Sequence, residues 1–298
     1  MQKSKLNLLG SYAILKAREY EYITTLDKNK VRFFLDSGAY TSFTKGKKID
    51  INEYCKFVEI LYKSLDMTAA QLDVIGDPDQ SFKNYKFMLE KYNLTKIIPV
   101  YQRGGDIKIL KQLINFTDYI LLGGIAILHD MKNSRKFINY VYKNAPTTKF
   151  HWLGFTNSKF VSHYKPYSID SSNSTTFGRF GRLLLFDENV GSYTFAMLSF
   201  KQRKRKFLPK DIHFMRSCKV PENMINGLYL DPNNIDAKNA NSYWNCLHIL
   251  SMIKLSAYYE KKFNTIYYHS VDSVSAIKRI YNIYNECYLK EKPLESIL

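Results

Sequence analysis

Three carboxylates stand at or near the ends of short apolar runs, where acid–base or nucleophilic chemistry is most readily built. Asp36 follows Phe33-Phe34-Leu35 and precedes Ser37-Gly38-Ala39-Tyr40; Asp170 follows Tyr167-Ser168-Ile169 and precedes Ser171-Ser172; Asp73 lies within Gln71-Leu72-Asp73-Val74-Ile75-Gly76-Asp77-Pro78. A carboxyl group at the end of a buried strand sits in low dielectric, which raises its pKa toward the range useful for proton transfer. Two such groups at one cavity suit glycosyl transfer, one as nucleophile and the other handling the proton. Locally a plainer role fits equally well, since Asp-Ser-Gly also caps turns. Asp73 has the acceptors to pair with the N1–H and exocyclic amine of a guanine-like edge, whereas Asp77, before Pro78, reads as a turn residue. Gly123-Gly124 offers unhindered backbone N–H groups to a carbonyl oxygen, or simply a tight turn.

The elements that must position these groups repeat through the first 170 residues: a short apolar run, a polar or Gly-rich turn, then a helical stretch. The runs are Leu6–Leu15, Val31–Leu35, Ala69–Ile75, Lys96–Tyr101, Tyr119–Leu122, Phe150–Leu153 and Tyr167–Ile169. Between them, Ile51–Leu65 carries Tyr54, Phe57, Val58 and Leu61 at helical spacing, and Asp79–Tyr92 carries Phe82, Tyr85 and Met88. Asp50 and Asp79 fit helix starts, with Glu53 placed like a capping-box acid. Alternating strands and helices predict a parallel sheet. So many units in 298 residues fit a closed (β/α)₈ TIM-type barrel better than an open doubly wound sheet. The strand ends carry Asp36, Asp73, Gln102, Gly123-Gly124, Gly154 and Asp170, and in such a barrel these ends converge on one mouth.

Beyond Asp170 the pattern changes. Gly181–Phe186 and Ser192–Leu198 flank Asp187-Glu188-Asn189 and predict a β-hairpin, followed by the basic run Lys201-Gln202-Arg203-Lys204-Arg205-Lys206. Residues 183–220 thus read as a hairpin and basic insertion within a single domain, 1–298, closed by helices over 241–298: Asn241–Lys262 and Ser273–Lys290. Gly227–Leu230 is the candidate eighth strand.

Composition narrows the partners. Lys and Arg number 44 against 27 Asp and Glu, a net charge of +17, which favours a polyanion, although a Lys-rich solvated surface gives the same excess. No apolar run approaches the roughly 18 residues a bilayer span needs, and Leu6–Leu15 lacks a signal-peptide cleavage site, so a cytoplasmic protein is expected. Cys55, Cys218, Cys246 and Cys287 are scattered, and Cys246 and His248 stand too close for a shared metal on a helix, so buried thiols and core packing are expected. His129, His151, His163, His213 and His269 show no partner spacing and are assigned no role, and most of the 24 tyrosines are expected in the core or on helix surfaces.

In order, Asp36-Ser37-Gly38-Ala39-Tyr40, Asp73-Val74-Ile75-Gly76-Asp77-Pro78, Val100-Tyr101-Gln102-Arg103-Gly104-Gly105, Leu122-Gly123-Gly124-Ile125-Ala126 and Tyr167-Ser168-Ile169-Asp170-Ser171 resemble the tRNA-guanine transglycosylase superfamily. The compact length and the first, second and last of these motifs look closer still to its phage branch, which includes enzymes that place 7-deazaguanines in DNA. The resemblance runs from Leu35 to Arg182. It implies that Asp170 is the nucleophile at the sugar C1′ and that Asp36 is the general acid/base. It places Asp73, Gln102, Gly123, Gly124 and Ser37 at the base. The implied reaction is exchange of guanine for a preQ0-like 7-deazaguanine through a covalent Asp-glycosyl intermediate, without cofactor. The tRNA enzymes' Cys-x-Cys-x-x-Cys…His zinc motif is missing from this sequence, so no metal is expected and DNA is favoured over tRNA. Arg179, Arg182, Lys201, Arg203, Lys204 and Arg205 then become candidate contacts to the nucleic-acid backbone, with an ordinary solvated loop as the plainer alternative for the basic run. A zinc-less tRNA enzyme, a barrel glycosidase or nucleoside hydrolase, and a non-catalytic nucleic-acid-binding subunit remain the rivals. Oligomeric state is left open.

Overall fold

The computed structural model describes residues 4–15, 17–65, 67–126, 130–175, 182–188, 191–197, 209–217, 220, 222, 225 and 235–297. The chain divides into two compact units. One comprises residues 7–171 and 263–274, and the other residues 1–6, 172–262 and 275–298.

The first unit is a parallel barrel with its helices in the crossovers. In chain order it runs β1 (Leu6–Ser11), α1 (Ala17–Thr24), β2 (Val31–Asp36), α2 (Ala39–Thr44), α3 (Ile51–Ser64), β3 (Met67–Ala70) and α4 (Pro78–Tyr92). There follow β4 (Ile97–Ile98), β5 (Val100–Gln102), α5 (Ile107–Phe116), β6 (Tyr119–Gly123), α6 (Met131–Asn144), β7 (Lys149–Trp152), α7 (Ser158–Tyr164) and β8 (Ser168–Ser171). The strand order is β4-β3-β2-β1-β11-β8-β7-β6-β5, where β11 is Ile266–Val271, and the pairings with an assigned register are all parallel. The two ends of this order, β4 and β5, are one stretch of chain interrupted at Pro99, which has no N–H to donate to a ladder. On one side of the break, Ile98 O accepts from Gln71 N–H; on the other, Pro99 O accepts from Leu121 N–H, so the sheet is nearly closed through this segment. Counting it once gives the eight strands of a (β/α)₈ barrel.

The strand that completes the eight is Ile266–Val271, with its own Val/Ile/Tyr-rich sequence. The candidate Gly227–Leu230 lies outside the described residues.

Helix starts follow side-chain chemistry. Asp50 caps α3 by accepting from the Asn52 and Glu53 N–H groups, and Asp106, Asp130 and Asn157 cap α5, α6 and α7 in the same way. At α4 the cap is Asp77, which accepts from Gln80 N–H, with Pro78 in the first turn. Asp79 lies inside the helix. The proline decides this: its fixed φ and missing N–H fit the first helical turn, which moves the cap to the residue before it.

Inside the barrel, Leu9, Phe34, Ala70, Ile98, Val100, Tyr119, Leu121, Ile266 and Tyr268 form one buried cluster. Side chains two apart on a strand share a face, so Asp36 follows Phe34, Gln102 follows Val100, Gly123 follows Leu121 and Ser270 follows Tyr268 on that inner face. The apolar layer is thereby topped by a polar one at the carboxyl ends of the strands.

In the second unit, β9 (Arg182–Asp187) and β10 (Ser192–Met197) form the antiparallel hairpin, with register from Ser192 opposite Asp187 to Met197 opposite Arg182. The helix Pro209–Ser217 follows, then the 29-residue helix Ile235–Phe263. The helix Val274–Ile283 runs into a π-helical turn, Tyr284–Leu289. His248 is a core histidine: Nδ1 accepts from Leu184 N–H at 2.9 Å, and Nε2 lies 2.7 Å from the Asn173 carbonyl. Cys55, Cys246 and Cys287 are buried free thiols, and Cys218 lies outside the described residues. Among the described residues, no helix is long and apolar enough to cross a membrane.

Candidate active site

The barrel mouth brings together Asp36, Ser37, Asp73, Gln102, Gly123, Gly124 and Asp170, but it gives its three aspartates different surroundings. Asp36 is the last residue of β2. Its Oδ2 accepts from Gly38 N–H at 2.9 Å. Gly38 itself has φ 77°, and a Cβ there would meet Ala13 Cβ at 2.4 Å and Ser11 Oγ at 2.6 Å, so only glycine fits against the β1 turn. Burial pushes the Asp36 carboxyl up to about 7, and the nearby charges of Asp73 and Asp170 push the same way. Gly38 N–H and the Ser11 hydroxyl oppose the shift only in part. Ser11 Oγ lies beside Asp36 without a hydrogen bond of ordinary geometry.

Asp73 lies in the loop after β3, three residues beyond the strand's last residue, Ala70, and not at the strand end where the sequence pattern put it. It is held there by Gln102, whose Nε2 donates to Asp73 Oδ2 at 2.8 Å and to Val74 O at 2.9 Å, while its Oε1 accepts from Gly76 N–H at 3.1 Å. Both hydrogens and the carbonyl of that amide are thus engaged by one loop, and in this arrangement Gln102 acts as a clamp on Asp73. The Ser37 hydroxyl reaches the other Asp73 oxygen at 3.5 Å, at the limit of a hydrogen bond. Burial raises the Asp73 pKa, with Gln102 and Ser37 pulling against it.

Asp170, in β8, is surrounded by donors. Gly154 N–H donates to Oδ1 at 2.7 Å, His151 Nε2 lies 3.2 Å from the same oxygen, and the Ser270 hydroxyl donates to Oδ2 at 3.2 Å. Behind His151, Nδ1 lies 2.7 Å from Ser168 Oγ, which is in turn 2.7 Å from the Tyr119 hydroxyl. One pattern satisfies every member: Tyr119 donates to Ser168, Ser168 to His151 Nδ1, and His151 Nε2–H to Asp170. Stacking on Phe34, centroids 5.2 Å apart, fixes the ring plane.

Sequence reading passed over His151, Gly154 as a donor, Ser270 and Ser11. A signal for His151 was present. It stands between Phe150 and Trp152, which both pack on Tyr142, so His151 must point to the opposite face, the barrel interior. Ser168 and Asp170 share the corresponding face of the next strand. Ser270 was hidden because its strand was not identified.

Gly123 pairs with Gln102 in register, and a Cβ there would meet Val100 Cγ1 at 3.2 Å. Gly124 turns the chain with φ 84°. Of the proposed backbone contacts, Arg179, Lys201, Arg203, Lys204 and Arg205 lie outside the described residues. Arg182 opens β9, and its side chain is likewise not among the described atoms. Among the described residues, no group of three or more His, Cys, Asp or Glu is arranged to hold a metal ion.

The arrangement pairs a carboxylate supplied with three donors and a second carboxyl that titrates near neutrality, with a third carboxyl clamped beside them. Such a set can attack an electrophilic carbon, pass a proton to and from a leaving group, and pair with an amide-like edge. Compared with protein-family models, curated proteins and solved structures, the chain matches none.

Proposed function

We propose that this protein is a pentosyltransferase that replaces guanine in DNA with a 7-deazaguanine. The observation carrying the reading is the contrast at the mouth: Asp170 accepts from up to three donors, while Asp36 sits near the charges of Asp73 and Asp170 with its pKa at about 7. Environments that treat two carboxyl groups so differently are what a nucleophile and an acid/base partner require.

In the first step an Asp170 oxygen attacks C1′, the C1′–N9 bond breaks with its electron pair leaving on the purine, and protonated Asp36 supplies the proton. In the second, Asp36 takes the N9 proton of the incoming 7-deazaguanine, whose N9 displaces Asp170 from C1′. Two inversions give net retention, atoms and charge balance, and neither step consumes ATP or a cofactor. Asp73, held by Gln102, faces the N1–H and exocyclic amine of the base, and a backbone N–H of Gly123-Gly124 serves its carbonyl oxygen. A base lacking N7 cannot be protonated there, so its glycosidic bond breaks less readily, and this gives the exchange direction. The net charge of +17 supports a polyanionic substrate, and the missing zinc motif favours DNA over tRNA. The target guanine has to be single-stranded or flipped out to enter the mouth.

The test is mass spectrometry of nucleosides from DNA and from tRNA incubated with the protein and a panel of 7-deazaguanines. The expected product is a 2′-deoxy-7-deazaguanosine, from DNA alone. Product confined to tRNA overturns the substrate, and release of free guanine without incorporation makes the protein a hydrolase.

A further inference from the structure

The helix α2 begins two residues after Ser37 and carries two large aromatic side chains into solvent. Tyr40 is 55% exposed and Phe43 63%. They are three apart and so lie on one side of the helix, while Ala39 and Ser42 are buried. Ile14, 41% exposed, follows Ala13, the residue against which Gly38 packs. The next loop is folded back on the helix: Lys45 N–H donates to Thr41 O, Gly46 N–H to Phe43 O and Lys47 N–H to Ser42 O. It presents Lys45, Lys47 and Lys48, all exposed and, among the described residues, without an acidic partner. The nearest following acid, Asp50, is engaged with the N–H groups that start α3.

Single exposed apolar residues are ordinary. Elsewhere Ile60, Phe116, Met131 and Tyr140 are exposed on α3, α5 and α6, on the barrel's outer helices. What sets α2 apart is the combination of two flat rings on one face, three exposed lysines on the adjoining hydrogen-bonded loop, and direct chain continuity with Asp36. Rings with a cationic border match a strand of nucleic acid, whose bases stack and whose phosphates pair with ammonium groups.

We propose that α2 and the loop to Asp50 hold the single strand that flanks the target nucleotide. Tyr40 and Phe43 stack on neighbouring bases, and Lys45, Lys47 and Lys48 meet phosphates. The proposal rests on the reading of the barrel mouth as a site for guanine in nucleic acid.

The experiment measures binding of the whole protein to a short fluorescent single-stranded DNA containing one guanine, over a salt titration. Melting temperatures check that each variant is folded. Tyr40→Ala with Phe43→Ala is expected to weaken binding by about 30-fold or more. Lys45→Ala with Lys47→Ala and Lys48→Ala is expected to reduce the slope of log K against log salt by about 2, at roughly 0.7 per phosphate on a single strand. Tyr140→Ala, an exposed ring on α6, is expected to bind as the parent does. Unchanged affinity and slope in both multiple variants overturn the proposal. So does a parent protein that ignores the oligonucleotide, whether or not it binds phosphatidylserine vesicles or polyglutamate. Base exchange by the same proteins separates the two ideas. Losses in binding without any exchange by the parent leave this surface standing and remove the transglycosylase reading. Exchange by the parent with undiminished binding in the variants does the reverse.

Discussion

The two walls of the barrel mouth use the same residue type to opposite effect. On the β7–β8–β11 wall, Gly154, His151 and Ser270 direct donors at Asp170, and a chain of buried polar groups backs the imidazole. On the β2–β5 wall, Asp36 has one backbone N–H within hydrogen-bonding distance and two acidic neighbours within reach of its charge, so it holds its proton to about pH 7. Strand-end position alone therefore does not assign a role. The number of donors and the sign of the neighbouring charge do.

The strongest way to break this comparison is to remove the donor-rich carboxylate. Asp170→Ala is expected to lower base exchange by on the order of 10⁴- to 10⁶-fold, the range seen when a member of a nucleophilic machinery is lost. Affinity for the oligonucleotide should stay within a few-fold. Exchange at the parent rate would remove Asp170 from the reaction. Trapping a covalent protein–DNA adduct in the parent, and its loss in the variant, gives the same answer without a rate.

Asp36→Asn tests the other wall twice. Exchange should fall by about 10²- to 10⁴-fold. In single-turnover formation of the adduct, the parent should lose rate as pH rises through about 7, because the acid form of Asp36 disappears, and the variant should lack that limb. The substitution that lowers exchange should raise stability. The folded protein binds this proton more tightly than the unfolded chain, whose aspartate ionises near pH 4, so stability falls progressively from about pH 4 to about pH 7. Removing the charge should raise the melting temperature at pH 8 and change it little at pH 4. From the shift, the gain at pH 8 is bounded at about 4 kcal/mol. Equal effects at both pH values would show that the Asp36 proton is not held as described.

How much of this was open to sequence reading depended on distance along the chain. The parallel barrel, the hairpin after Asp170 and the helix start at Asp50 follow from local pattern, and Asp36 and Asp170 each stand beside their own strand. His151, Ser270 and the Gln102 clamp are defined by partners 19, 100 and 29 residues away. No spacing rule reaches that far. The eighth strand was missed for a related reason: six residues between two helices give too short a period to count, and the strand is fixed by pairing with β1 and β8.

The smallest expected effect sharpens the comparison most, because it concerns a residue that does not touch substrate. His151→Phe keeps a ring against Phe34 but removes the Nε2 donor to Asp170. If His151 holds the nucleophile at its angle, kcat should fall by about 10- to 100-fold with KM nearly unchanged, since misplacing a reacting group by an ångström costs about that much. The variant leaves the Ser168 hydroxyl without its imidazole acceptor, at about 1–3 kcal/mol of stability, so activity is to be measured well below its melting point. His151→Gln, whose side-chain amide nitrogen reaches the place of the imidazole Nε2 and so can donate to Asp170, should recover part of the lost kcat. A fall in stability with kcat intact would make His151 a core residue only, and the donor set at Asp170 would then reduce to Gly154 and Ser270.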